Sequence, residues 1–184
     1  MNKALILLCG LLFACGGADK IKDDASAQSS NKDGQEYDTN RDGKPDSWTF
    51  FSMVDGKQRL SRKEFDINFD GKVDIWRHYN EEGQIERDRM DMDFDGRIDV
   101  ITYYEADSVT RKEMDLQFDG RPDIIRYYDG GVLVRLESDT DNDGRVDYWE
   151  YYKEGLLARA GTDEDGDGQP DPGKWRDVVR PNEN

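Results

Sequence analysis

Apolar and polar positions between residues 37 and 175 do not form one amphipathic wave; they return in units of about 24 residues. Each unit opens with an acidic stretch, runs into a short bulky segment, turns, and comes back through a polar segment with one aliphatic anchor. Counting from the first Asp of each acidic stretch, position 10 holds Ser47, Ile75, Val100, Ile124 and Tyr148. Position 11 holds Trp48, Trp76, Ile101, Ile125 and Trp149, and position 13 holds Phe50, His78, Tyr103, Tyr127 and Tyr151. Aromatic and β-branched residues packed this closely favour a strand, with positions 11 and 13 on one face because side chains alternate. A turn follows at Asp55-Gly56, Glu82-Gly83, Asp129-Gly130 or Glu154-Gly155, and at Ala106-Asp107-Ser108 in the third unit. Asp-Gly between apolar runs is a hairpin signal, since both residues tolerate positive φ. The return segments pair an aliphatic residue with an arginine two places on: Leu60/Arg62, Ile85/Arg87, Val109/Arg111, Leu133/Arg135 and Leu157/Arg159. Each unit therefore reads as strand, turn, strand, acidic loop. Five such hairpins predict an all-β protein of about ten strands, a meandering antiparallel sheet or hairpin solenoid with the acidic loops along one edge.

The acidic stretch is the most regular part of the unit. It reads DTNRDGKPD (Asp38 to Asp46), DINFDGKVD (Asp66 to Asp74), DMDFDGRID (Asp91 to Asp99), DLQFDGRPD (Asp115 to Asp123), DTDNDGRVD (Asp139 to Asp147) and DEDGDGQPD (Asp163 to Asp171). A hard dication takes six to eight oxygens, and carboxylates at alternate positions followed by a glycine can wrap one ion from a short segment. A helical EF-hand-like array is the competing architecture. Its loop needs a bidentate Glu at position 12, where this chain has Thr49, Arg77, Thr102, Arg126, Glu150 and Lys174, while position 9 is Asp throughout. A second competing account needs no ion: Asp and Gly make good turns through Asx hydrogen bonds alone.

DLQFDGRPDII and DMDFDGRIDVI resemble the β-hairpin calcium loops of FG-GAP repeats in integrin-type propellers, although a unit of about 24 residues is too short for a propeller blade. The tandem arrangement also resembles thrombospondin type 3 repeats, without their cysteines, and dockerin modules are a poorer match. The resemblance implies up to six calcium ions held by side chains at positions 1, 3, 5 and 9. In chain order these are Asp38, Asn40, Asp42 and Asp46; Asp66, Asn68, Asp70 and Asp74; Asp91, Asp93, Asp95 and Asp99; Asp115, Gln117, Asp119 and Asp123; Asp139, Asp141, Asp143 and Asp147; and Asp163, Asp165, Asp167 and Asp171. The carbonyls of Lys44, Lys72, Arg97, Arg121, Arg145 and Gln169 would complete the sets. Position 3 grades the loops: Asp93, Asp141 and Asp165 are charged, Asn40 and Asn68 neutral, and Gln117 neutral and longer, so the Asp115 loop is expected to be weakest. Without a bidentate Glu, affinities of roughly 0.1–1 mM are expected. At ~1 mM calcium and Kd ~0.1 mM each ion stabilises the fold by about 1.4 kcal/mol.

Residues 1–14 combine Lys3 with an apolar run from Ala4 to Ala14, the pattern of an export signal too short to be a lasting membrane span. Leu12-Phe13-Ala14-Cys15-Gly16 resembles a bacterial lipoprotein box, with Cys15 as the lipidated residue; a simple secretory signal is the alternative. On that reading the protein is an exported outer-membrane or cell-surface lipoprotein, with a periplasmic or secreted location as the other expectation. Residues 15–36 form a flexible tether, 37–175 the six calcium-loop/hairpin repeats, and 176–184 a polar tail. Losing Lys3 with the signal takes the formal charge from −16 to −17, and six dications at two charges each would bring it to −5. Such a surface repels nucleic acid and anionic lipid heads and attracts cations. Leu, Ile, Val and Phe make up only about 17% of residues 16–184, a level normally disordered at this charge. Ion binding and folding are therefore expected to be coupled.

Catalysis has little support: no nucleophile elbow, Cys/His pair, phosphate loop or zinc spacing is present. His78 stands at an aromatic position and reads as packing. The arginines are expected to stack on the aromatics or pair with carboxylates. The resulting expectation is a non-enzymatic, calcium-binding cell-envelope lipoprotein acting as a structural, adhesive or interaction module, with an envelope protein or polysaccharide as partner. The alternatives are a glycan-binding accessory subunit or enzyme of the envelope using the Trp/Tyr strip, and a low-affinity calcium buffer.

Overall fold

The computed structural model describes residues 34–178; the expected export signal, Cys15 and most of the expected tether lie outside them. The described residues form one antiparallel meander of twelve strands in strict chain order. The strands are β1 Gln35–Tyr37, β2 Ser47–Val54, β3 Lys57–Phe65, β4 Ile75–Tyr79, β5 Ile85–Met90, β6 Val100–Glu105, β7 Ser108–Met114, β8 Ile124–Asp129, β9 Val132–Ser138, β10 Tyr148–Lys153, β11 Leu156–Thr162 and β12 Arg176–Asp177. No helix occurs among the described residues, which removes the EF-hand-like array. Nor is any helix there long and apolar enough to cross a membrane.

Ten strands are the five expected hairpins; the other two correct the segment boundaries. Gln35 and Glu36, placed in the tether by sequence, pair with Thr49 and Trp48. Arg176 and Asp177, placed in the tail, pair with Ala160 and Arg159. Both additions cover strands that would otherwise be long, open edges. Trp175 completes this second cover: its ring lies over Gly161, where an added Cβ would sit 2.8 Å from Cε3, and it meets Tyr151 at a tilt of 54° with the centroids 5.7 Å apart.

The turns follow the predicted chemistry with one shift. Asp55-Gly56, Ala106-Asp107 and Glu154-Gly155 carry positive φ at both central residues, whereas in the fourth hairpin these are Gly130-Gly131 and Asp129 ends β8. In the second hairpin, Asn80 Oδ1 accepts the amides of Glu82 and Gln84, closing a longer loop.

Every hairpin also contains a bulge at the same place. The register slips between positions 13 and 14, so that Phe50 opposes Arg62 but Phe51 opposes Leu60; the same slip occurs at His78/Tyr79, Tyr103/Tyr104, Tyr127/Tyr128 and Tyr151/Tyr152. Strict alternation would put Leu60 and Arg62 on one face. The extra residue sends them to opposite faces.

One face consequently carries a row in which aromatic and cation alternate across the sheet: Phe50, Arg62, His78, Arg87, Tyr103, Arg111, Tyr127, Arg135, Tyr151, Arg159. Arg62 lies 4.3 Å from the Phe50 centroid, Arg135 4.0 Å from Tyr127, and Arg159 4.9 Å from Tyr151 and 4.3 Å from Trp175. Glu64, Glu113 and Glu137 on the same face pair with Arg62, Arg111 and Arg135. The fully buried apolar cluster is small, Trp76 with Ile98 and Ile101, and it sits at the loop end of the central strands. With no second layer among the described residues, the sheet is held by its ladder, these stacked pairs and the loops.

Candidate metal centre

All six acidic loops emerge at one end of the sheet, because each joins an odd-numbered strand to the next even-numbered one. Each is closed by the same backbone bond, the amide of position 9 donating to the carbonyl just before position 1, as in Asp99 to Met90 at 2.9 Å. The glycine at position 6 carries φ between +83° and +94°, a conformation that spares a β-carbon a clash.

Four side chains turn inward onto the backbone in five of the loops, and three in the loop beginning at Asp115. The position 1 carboxylate accepts the glycine amide in every loop, at 2.6 to 2.9 Å: Gly43 to Asp38, Gly71 to Asp66, Gly96 to Asp91, Gly120 to Asp115, Gly144 to Asp139 and Gly168 to Asp163. The position 9 carboxylate accepts the amide of position 2, as in Ile67 to Asp74 at 2.8 Å and Thr140 to Asp147 at 2.8 Å. Position 5 accepts the amide of position 7 in all six loops. At position 3, Asn40, Asn68, Asp93, Asp141 and Asp165 accept the amide of position 5. In the remaining loop the Asp119 amide goes to Asp115 instead of Gln117. The Asx-turn account thus explains much of the loop shape without an ion.

What turns alone do not explain is the crowding of like charge. Oxygens of Asp91, Asp93 and Asp99 lie within 4.8 Å of one another, as do those of Asp139, Asp141 and Asp143, and of Asp163, Asp165 and Asp171. These are the three loops with Asp at position 3. Burial pushes Asp91 and Asp99 above the usual carboxylate range, and their neighbours Asp93 and Asp95 push Asp91 further. Burial likewise raises Asp139, with Asp143 adding to it. In the third cluster desolvation raises Asp163, but the backbone amides of Gly168, Gly166 and Asp167 together outweigh it and hold that carboxyl below the usual range. Hard carboxylate oxygens converging in this way are a donor set that suits a hard dication. Asp91, Asp93 and Asp99, Asp139, Asp141 and Asp143, and Asp163, Asp165 and Asp171 would hold it, and its charge would offset their repulsion.

Position 4 was not singled out from sequence. It adopts the left-handed backbone in all six loops, with φ from +60° to +75°: Arg41, Phe69, Phe94, Phe118, Asn142 and Gly166. A bulky residue there costs roughly 1–2 kcal/mol. The signal was visible as the repeated Phe-Asp-Gly of the second, third and fourth loops.

No family profile matches the sequence, and no curated protein matches it. Among solved structures, the accessory secretory protein 1, 2 and 3 structure from Streptococcus pneumoniae is 14% identical over 71% of this chain and 23% of that one, with a TM-score of 0.40. The glycosylation-associated protein complex of Streptococcus agalactiae is 17% identical over 78% of this chain and 24% of that one, with a TM-score of 0.32. TarM is 13% identical over 66% of this chain and 18% of that one, at a TM-score of 0.23. The chain thus spans less than a quarter of the length of these structures, and the likenesses do not extend to a shared overall fold.

Proposed function

We propose that this protein is a calcium-binding, non-enzymatic module of the cell envelope, tethered through a lipid on Cys15, whose sheet is rigidified when its loops take up calcium. The observation that carries the reading is the convergence of three carboxylates within 4.8 Å in each of the loops beginning at Asp91, Asp139 and Asp163. The remaining loops, beginning at Asp38, Asp66 and Asp115, share the backbone frame with a neutral side chain at position 3 and would bind more weakly. Calcium would supply charge neutralisation and rigidity rather than chemistry. A long, thin sheet with a small buried cluster gains stability where it otherwise has least. Far-UV circular dichroism and thermal melting in EDTA, then in millimolar calcium with magnesium as control, test the reading. A calcium-specific rise in Tm supports it; identical melting in all three conditions would leave the loops as Asx turns only.

The glycan-binding alternative is less favoured by the arrangement of the aromatic strip. Phe50 is buried, and Tyr127 and Tyr151 already have arginines stacked on them.

A further inference from the structure

The three central loops differ from the three outer ones in a way that neither turn formation nor cation binding requires. At position 2 the first and fifth loops carry Thr39 and Thr140, whose hydroxyls donate to the position 9 carboxylates Asp46 and Asp147 at 2.8 and 2.6 Å. The central loops forgo that bond for Ile67, Met92 and Leu116, which remain 46%, 47% and 47% exposed. At position 4, where the backbone is left-handed and Asn142 or Gly166 serves elsewhere, the central loops carry Phe69, Phe94 and Phe118. Phe69 and Phe94 are 51% and 40% exposed. Three large apolar side chains thus stand in left-handed backbone at position 4, and five of the six apolar side chains at positions 2 and 4 of these consecutive loops are left in water, with Phe118 half-buried. Contiguous exposed apolar groups of this kind mark a contact surface.

The surroundings say which kind. Successive loops are two strands apart, about 10 Å, and share one register, so their apolar side chains form a row along the sheet end rather than the walls of a groove. The carboxylates at positions 1 and 9 of these loops, Asp66, Asp74, Asp91, Asp99, Asp115 and Asp123, are all buried and face the backbone. Exposed cations stand three places after the first two phenylalanines, at Lys72 and at Arg97, whose guanidinium pairs with Asp95 at 2.5 Å and would be released when that carboxylate turns to a cation. The acids left in solvent, Asp70, Asp93, Asp95 and Asp119, belong to the loops' own cation-binding sets. A row of protruding apolar groups interspersed with basic side chains suits a phospholipid interface, which accepts Phe and Leu without a matching pocket and accommodates Lys and Arg at the headgroups.

We infer that the Ile67/Phe69, Met92/Phe94 and Leu116/Phe118 loops dock on a phospholipid bilayer, most strongly once calcium has neutralised Asp70, Asp93, Asp95 and Asp119. The calcium enhancement rests on the proposed function; the docking surface itself does not. The test uses the full chain with Cys9→Ser and Cys15→Ser, carrying an environment-sensitive NBD label either at Phe94→Cys or, at the opposite end of the sheet, at Asp55→Cys. Each is mixed with phosphatidylcholine/phosphatidylglycerol vesicles in EDTA and in calcium, and melting is followed in parallel. The expected result is a blue shift and at least a twofold rise in emission at position 94 and none at position 55. No response at 94, or equal responses at both sites, would overturn the inference, however the N-terminal segment holds the chain. Light scattering that showed dimers lost with Phe69→Ser and Phe94→Ser, with no response to vesicles, would also overturn it in favour of contact between two copies. A vesicle response at 94 without any calcium effect on melting would uphold the docking surface and remove the calcium reading alone.

Discussion

The backbone amide of Asp115 donates to the carbonyl of Asp99 at 2.8 Å, joining the first residue of one acidic loop to the last residue of the loop before it. The same bond links Asp66 to Asp46, Asp91 to Asp74, Asp139 to Asp123 and Asp163 to Asp147, so all six loops lie in one hydrogen-bonded row. An ion that orders one loop fixes an anchor of the next. Calcium titration followed by calorimetry is therefore expected to be steeper than for independent sites, with a Hill coefficient above one. A titration that fits identical, independent sites would show that this shared bond transmits nothing.

Asp99→Asn separates the turn role of a ligand from its charge. Asparagine can still accept the amides of Met92 and Asp93, which Asp99 receives at 2.6 and 3.4 Å, but it no longer adds to the repulsion around Asp91 and Asp93. In EDTA the variant should be at least as stable as the parent. In calcium it should lose about 1.4 kcal/mol of the ion-dependent gain if that site is filled to ten times its Kd. Urea midpoints measured in both conditions check the change of sign.

Arg111 lies between two rings, 5.8 Å from Tyr103 and 5.6 Å from Tyr127, and pairs with Glu113 at 2.7 Å. Arg111→Ala should cost about 1–2 kcal/mol from the two ring contacts, and more for leaving the buried Glu113 without its partner. Arg111→Lys should recover only part of that, because an ammonium cannot present a planar group to both rings. Chemical denaturation of the two variants would rank them.

Gly161→Ala probes the cover at the C-terminal edge. A Cβ there meets Cε3 of Trp175 at 2.8 Å, so the ring must move off Tyr151 and Arg159. The expected cost is about 1–3 kcal/mol, together with a change in tryptophan emission and faster hydrogen exchange in β11. Unchanged emission would mean that Trp175 does not hold the edge.

The hairpin repeat was legible because the apolar positions and the acidic loops share one period, and the three-carboxylate clusters were legible in Asp93, Asp141 and Asp165. The bulge was not: Ser61, Glu86, Thr110, Val134 and Ala158, the residues skipped in the register, have no chemistry in common. Without it, alternation puts Leu60 with Arg62 and hides a second row on the other face, in which Phe51, Tyr79, Tyr104, Tyr128 and Tyr152 oppose Leu60, Ile85, Val109, Leu133 and Leu157. The two short edge strands were missed because three and two residues carry no periodicity, and their pairing is decided by open edges elsewhere in the chain.

His78 and Glu113 should tilt stability in opposite directions with pH. Burial, helped by the nearby Arg89, Arg87 and Arg62 charges, lowers His78 from 6.5 to about 4. The unfolded chain thus takes up this proton near pH 6.5 while the fold refuses it, and stability falls as pH drops from 6.5 towards 4. Burial raises Glu113 above its ordinary 4.5 against the opposing charge of Arg111. Its contribution is fully present below 4.5 and is lost as pH rises through the folded value. In EDTA, His78→Phe, which restores the aromatic found at this position in the other hairpins, should flatten the acid-side fall. Glu113→Gln should instead reduce the loss on the way up to neutral pH. Urea midpoints across that range decide the matter, and a His78→Phe curve parallel to the parent would mean that the imidazole titrates alike in the folded and unfolded chains.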